Sequence, residues 1–187
     1  MTLAFTGCRI GELLGASWSA LDLKAGQFHI RTSLADSDPG EEMIFKKPKS
    51  KSSERTVPLS KELVQELRLW KIKCPPSERD LVIVSDRGKP VRRRVVSEML
   101  SGILKDLKIE KELTPHSFRH TFASLLLAKK RPVPEVTKLL GHADSAITYR
   151  TYAHPVPGEE TSSVQELSAS ILENVSTDVS ITATNVS

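Results

Sequence analysis

Apolar residues recur at helical spacing through most of the chain, and only between Leu21 and Ser60 do they alternate with polar ones. Leu3, Ala4 and Phe5 read as the last turn of a helix stopped by Gly7. Thr6 is placed to cap a second helix that turns Ile10, Leu13 and Leu14 inward. Three short strands follow: Gln27 to Ser33 with Phe28 and Ile30 on one side, Met43 to Lys47, and Glu54 to Leu59 with Val57 and Leu59. The segment Ala35 to Gly40 would join the first pair of strands, and the lysine-rich turn KPKSKSSER the second. Ser60 to Lys73 carries Leu63, Val64, Leu67 and Trp70 on one stripe, and Leu81 to Val84 is a short buried run. Past Arg92, Arg93 and Arg94, a helix gathers Val95, Val96, Met99, Leu100, Ile103, Leu104 and Leu107 on its apolar side. Thr114 and Pro115 suit the N-cap and first position of a helix with Phe118, Phe122, Leu125 and Leu126 as its core face. Pro134 opens a shorter helix with Val136, Leu139 and Leu140 inward, and Gly141 ends it. Asp144 or Ser145 caps a last one containing Ile147, Tyr149 and Tyr152. The pattern predicts an α+β fold, mainly α-helical, with a small three-stranded antiparallel sheet.

Organisation follows from the same pattern. Residues 1–154 read as one domain that opens inside an element, as if cut from something longer. Residues 155–187 read as a linker, an amphipathic helix (Val164, Leu167, Ile171, Leu172) and a flexible tail.

Composition changes the picture only through its charge. With 39% hydrophobic and 27% charged residues, the expectation is a soluble globular domain with neither a membrane span nor a signal peptide, cytoplasmic by default. Cys8 and Cys74 are too few for a disulfide framework and read as packed, reduced thiols. All 27 Lys and Arg lie before Pro155, against 18 of the 23 acids, so residues 1–154 carry a net charge of +9. A polyanion is the partner such a balance fits. The basic residues are also grouped. Lys46, Lys47, Lys49, Lys51 and Arg55 share one turn, Arg92 to Arg94 stand at a helix start, and His116, Arg119 and His120 share a face near the N-terminus of another helix, where backbone N–H groups attract anions. The histidines at 116, 120, 142 and 154 match no zinc-ligand spacing, and no carboxylate cluster of the two-metal kind is present, so neither a metal nor another cofactor is expected.

Four segments, TGCRIGELLGASWSALDL, PKSKSSERTVPL, HSFRHTFAS and LLGHADSAITYRTYAH, resemble in type, order and spacing the boxes of the tyrosine recombinase catalytic domain, found in the phage-integrase family of site-specific DNA strand-exchange enzymes. The resemblance runs from Met1 to about His154 and implies roles position by position. Arg9 and Arg119 match the two arginines that hold the scissile phosphate, Lys49 the lysine of the hairpin turn, His116 the histidine before the second arginine, and His142 the histidine after the LLG turn. Tyr152 matches the nucleophile, with Tyr149 one turn earlier as the alternative, and Glu12 matches an acidic position that orients its neighbours. Lys46, Lys47, Lys51, Arg55, Arg92, Arg93 and Arg94 would touch the DNA backbone.

That residue set makes chemical sense. Attack on a phosphodiester adds charge to its equatorial oxygens, so fixed guanidinium groups aimed there favour the transition state. A tyrosine of pKa about 10 needs a proton acceptor, for which His116 is suited, and the leaving 5′ oxygen needs a donor, for which Lys49 is suited. The product would be a 3′-phosphotyrosyl bond that keeps the energy of the broken linkage, so neither ATP nor metal is required. The implied partners are double-stranded DNA and other protomers in a synaptic complex, with the isolated domain a monomer and the source a bacterium or phage. A type IB topoisomerase-like activity and a catalytically silent DNA-binding module are the competing readings.

Overall fold

Gly7 ends α1 (Thr2–Thr6) by taking a left-handed conformation and donating its N–H to Leu3 O, and after Cys8 the chain enters α2 (Ile10–Leu14). Arg9, not Thr6, caps α2; the Thr6 hydroxyl instead donates back to Thr2 O. The computed structural model describes residues 1–35, 43–47, 53–110, 113–146 and 148. A 3₁₀ turn at Trp18–Ala20 leads to the strands β1 (Leu21–Asp22), β2 (Gln27–Ile30), β3 (Ser33–Leu34), β4 (Phe45–Lys46) and β5 (Arg55–Pro58).

The sheet has three antiparallel strands, but their order is β1-β2-β5. Its third strand is therefore Leu21–Asp22, paired with Gln27 and Phe28, and the expected strand at Met43 to Lys47 pairs elsewhere. The stretch Gln27 to Ser33 divides: β2 pairs with β5, while β3 turns away to form a separate two-stranded ribbon with β4. Packing explains the division. Gly11 brings the α2 backbone so close to β3 that a Cβ there would lie 2.7 Å from Leu34 O, and Leu34 is buried in the contact.

The larger core joins Leu13 of α2, Trp18, Phe28 and Ile30 of β2 and Val57 of β5 to Leu63 and Leu67 of α3 (Lys61–Lys73). Ser60 caps α3 by accepting from Leu63 N–H, and Trp70 Nε1 donates to Val82 O. Cys8 lies inside this core, where burial pushes its thiol up to about 11, and both cysteines are free thiols. A smaller cluster of Ala123, Val136 and Leu140 joins α5 (Pro115–Ala128) to α6 (Val133–Leu140).

Two expected faces differ. On α4 (Arg93–Asp106) only Leu104 is buried, while Met99 and Leu107 are 62% and 63% exposed. Periodicity groups these residues on one side of the helix but does not supply an element to cover them. On α5 the expected Phe122 and Leu126 do pack against the α5–α6 cluster, but the fully buried positions are Arg119 and Ala123, and Leu125 is exposed. Among the described residues no helix is long and apolar enough to cross a membrane.

Candidate active site at the end of helix α6

Gly141 closes α6 in the left-handed conformation at φ 67°, which frees the last carbonyls of the helix from further intrahelical bonds. Three consecutive ones receive three arginines from three parts of the chain. Leu139 O accepts from Arg55 Nε at 2.6 Å, Leu140 O from Arg119 Nη2 at 2.7 Å, and Gly141 O from Arg9 Nη2 at 3.4 Å. The C-terminal end of a helix carries a partial negative charge, so cations collect there for a plain electrostatic reason. His142 follows at once.

Arg119 comes from the second turn of α5, whose start is fixed by Thr114 accepting from Ser117 N–H and by Ser117 Oγ accepting from Thr114 N–H. Its other arm donates to Gly7 O at 2.7 Å, so one guanidinium ties the α1–α2 junction to the end of α6. It is 1% exposed. Arg9 emerges at the N-cap of α2 with its side chain 40% exposed; its backbone N–H donates to Glu12 Oε2 at 2.8 Å and its Nη1 to Glu12 Oε1 at 2.9 Å. Read from spacing alone this is a surface ion pair, but Glu12 is buried and takes a second, bidentate partner, Arg55, at 3.0 and 2.8 Å. Burial by itself raises the Glu12 carboxyl. The bonds and charge of Arg55, with those of Arg9, outweigh it and hold the carboxyl below the ordinary value.

His142 shares a 2.9 Å hydrogen bond between Nδ1 and the buried Thr148 hydroxyl. Burial, then the charges of Arg119, Arg9, Arg55 and His116, lower its pKa to about 4, so the ring is neutral at pH 7. His116, in the first turn of α5, meets His120 edge-on with ring centroids 4.5 Å apart. Partial burial, His120, Arg119 and Arg9 lower its pKa as well. The face expected to present His116, Arg119 and His120 together thus divides: the two histidine rings meet edge to face, while Arg119 turns into the body.

The basic residues expected on DNA part company. Arg55 does not face outward from the lysine turn; its side chain is 3% exposed and bound to Glu12, Leu139 O and Ser53 O. Position in strand β5 decides this, because alternation turns Arg55 and Val57 inward while Thr56 and Pro58 face out. Arg93 reaches back to Leu34 O at 3.4 Å, and Arg94 is paired with Glu98 at 2.6 Å on the surface of α4. Lys46 and Lys47 are exposed. Lys49, Lys51, Tyr149, Tyr152 and His154 lie outside the described residues, as does the C-terminal segment. No group of three or more metal-binding side chains occurs among the described residues. Sequence reasoning missed the inward role of Arg55; its alternation with Val57 was the available signal.

The family model described as the phage integrase family matches residues 1–159. A tyrosine recombinase XerC-like protein of Caldanaerobacter subterraneus subsp. tengcongensis is 27% identical over 185 residues, which cover 88% of this chain and 47% of that protein. Tyrosine recombinase XerD of Listeria monocytogenes is 36% identical over 107 residues, 54% of this chain and 36% of the relative. The chain thus spans less than half the length of these relatives. Among solved structures, that of the Tn1549 transposon integrase in complex with transposon right end DNA is similar in fold, with a TM-score of 0.80 at 22% identity over 89% of this chain and 56% of that one.

Proposed function

This chain belongs to the phage integrase family, and from that membership we propose that it is the strand-cleaving and rejoining part of a site-specific DNA recombinase. One observation supports the reading most directly: Arg9 and Arg119, 110 positions apart in sequence, meet on the adjacent carbonyls of Gly141 and Leu140, beside His142. Two guanidinium groups fixed by backbone carbonyls present planar, permanently charged donors to the non-bridging oxygens of a phosphodiester. Arg119 keeps its charge where the surroundings are least polar, so its field acts strongly on a phosphate brought beside it.

In this reading the Tyr152 hydroxyl attacks the scissile phosphorus, passing its proton to His116, which is neutral at pH 7 and able to take it. The new bond joins Tyr152 Oη to phosphorus, and the bond from phosphorus to the 5′ oxygen breaks. Lys49 gives that oxygen its proton. His142, neutral as well, donates a hydrogen bond to the phosphate instead of exchanging protons. A 5′ hydroxyl of another strand then reverses the step, which makes other protomers of the same recombinase the natural partners in a synaptic complex. Neither metal nor ATP takes part.

The test is capture of a covalent protein–DNA adduct on a denaturing gel, in EDTA, with a nicked duplex drawn from the DNA flanking the gene. The expected outcome is an adduct formed by the wild type and by Tyr149→Phe and absent from Tyr152→Phe. An adduct lost only in Tyr149→Phe moves the nucleophile three residues earlier in the sequence. Binding of that duplex without any adduct replaces this reading with a DNA-binding module, and relaxation of a supercoiled circle without strand exchange replaces it with topoisomerase-like chemistry.

A further inference from the structure

Arg55 has no assigned part in the chemistry, yet it is among the most constrained side chains of the chain. Its Nη1 and Nη2 hold both oxygens of Glu12, its Nε donates to Leu139 O, and Nη1 also reaches Ser53 O at 3.2 Å. Gly141 packs directly against it, so that a Cβ at 141 would fall 2.6 Å from Arg55 Nη1. A buried ion pair is a poor way to gain stability, since two well-packed apolar side chains of the same volume do as well. What the fork supplies is geometry. Two parallel bonds fix the plane of the carboxylate, and the third N–H is aimed at the last turn of α6.

The two anchors lead to two different reactive groups. Glu12, held by Arg55, receives both the backbone N–H and Nη1 of Arg9 and so sets where that guanidinium points. Leu139 O, held by Arg55, belongs to the last turn of α6, three residues before His142. From this we infer that Arg55 is a positioning residue: it locks the N-terminus of α2 to the C-terminus of α6, so that Arg9 and His142 keep a fixed separation across the phosphate. The inference rests on the recombinase reading above, and it removes Arg55 from the DNA-contacting set. Misplacement of a catalytic group by about 1 Å costs up to about a hundredfold in rate, which is why a residue that never touches the substrate can matter to it.

The experiment uses the whole chain and three variants: Arg55→Lys, Arg55→Met, and the double variant Glu12→Gln with Arg55→Met. The double variant removes both buried charges and keeps a folded protein available where Arg55→Met alone leaves the Glu12 carboxylate uncompensated. The first readout is the rate of adduct formation at saturating nicked duplex, measured beside the Kd for that duplex. A positioning role predicts that the folded variants lose on the order of ten- to a hundredfold in rate while Kd stays within about threefold. Arg55→Lys keeps the charge but cannot hold Glu12 and Leu139 O together, so it restores thermal stability without restoring the rate. The second readout needs no DNA reaction: the Cε1–H resonance of His142 shifts in the double variant, because the helix turn before it has lost its anchor. A folded double variant with wild-type rate and an unmoved His142 resonance overturns the inference, and a loss confined to Kd returns Arg55 to the DNA-binding set. A wild-type chain that forms no adduct overturns the recombinase reading instead and leaves the His142 resonance to decide the geometric claim.

Discussion

Glu12 is a carboxylate 4% exposed and bonded by two arginines, and its pKa direction makes a stability prediction. Its folded-state value lies below the ordinary 4.5, so its contribution is full above pH 4.5 and is lost as the pH falls through the folded value. Glu12→Gln leaves the Arg55 charge uncompensated and lowers stability at pH 7 by about 3 kcal/mol, and the gap to wild type narrows below pH 4.5. Thermal melts between pH 3 and 7 read both effects. His142 behaves as a base whose folded value is also depressed, from 6.5 to about 4. The stability linked to its neutral form is complete above pH 6.5 and is lost between there and pH 4. An NMR titration of its ring is expected to show a midpoint near 4; a midpoint near 6.5 would mean that the ring is neither buried nor faced by the three arginines. At this scale the motifs were enough to single out Arg9, His116, Arg119 and His142 as candidates. The partners of Arg55 were not, because a strand residue's neighbours come from elements distant in sequence.

Among the elements, α5 and α6 do most to build the site, and local signals fix the end of each that carries it. The Thr114–Pro115 start of α5 was readable because a cap and a proline act within one turn. Thr114→Ala removes the acceptor of Ser117 N–H and should cost about 1 kcal/mol, read as a lower midpoint in urea. Gly141 was readable as a C-cap for the same reason, although its second constraint, the Arg55 side chain under its Cα, was not. Gly141→Ala meets both the positive φ and the guanidinium 2.6 Å away, and the expected loss is about 2 kcal/mol or more together with a displaced His142 resonance. The strands were read less well. Alternation marked Phe28, Ile30 and Val57 correctly, but Leu21–Asp22 is too short to show a period, and the separation of β3 from β2 depends on the close approach of α2.

For the whole molecule, the proposed recombinase reading and the net +9 on residues 1–154 together predict a DNA affinity governed by counterion release. Binding of the chain to duplex DNA should weaken by at least tenfold between about 50 and 200 mM salt, measured by fluorescence anisotropy; a Kd unchanged over that range would separate binding from the basic surface. Removing the Arg55 charge should leave that salt slope unaltered, because a guanidinium inside the protein displaces no counterions, whereas exposed Lys46 and Lys47 should each contribute. The sequence by itself determined the mainly helical character with a small sheet, the capped starts of α3 and α5, the Gly141 end of α6 and the family, because periodicity, caps and motif spacing act over a few residues or are read one position at a time. Only the tertiary structure decided which strand completes the sheet, which arginines turn inward, and that Leu139, Leu140 and Gly141 gather Arg55, Arg119 and Arg9 on three successive carbonyls. Those outcomes depend on polar groups finding partners 21 to 132 residues away in sequence, and packing, not pattern, settles which ones meet.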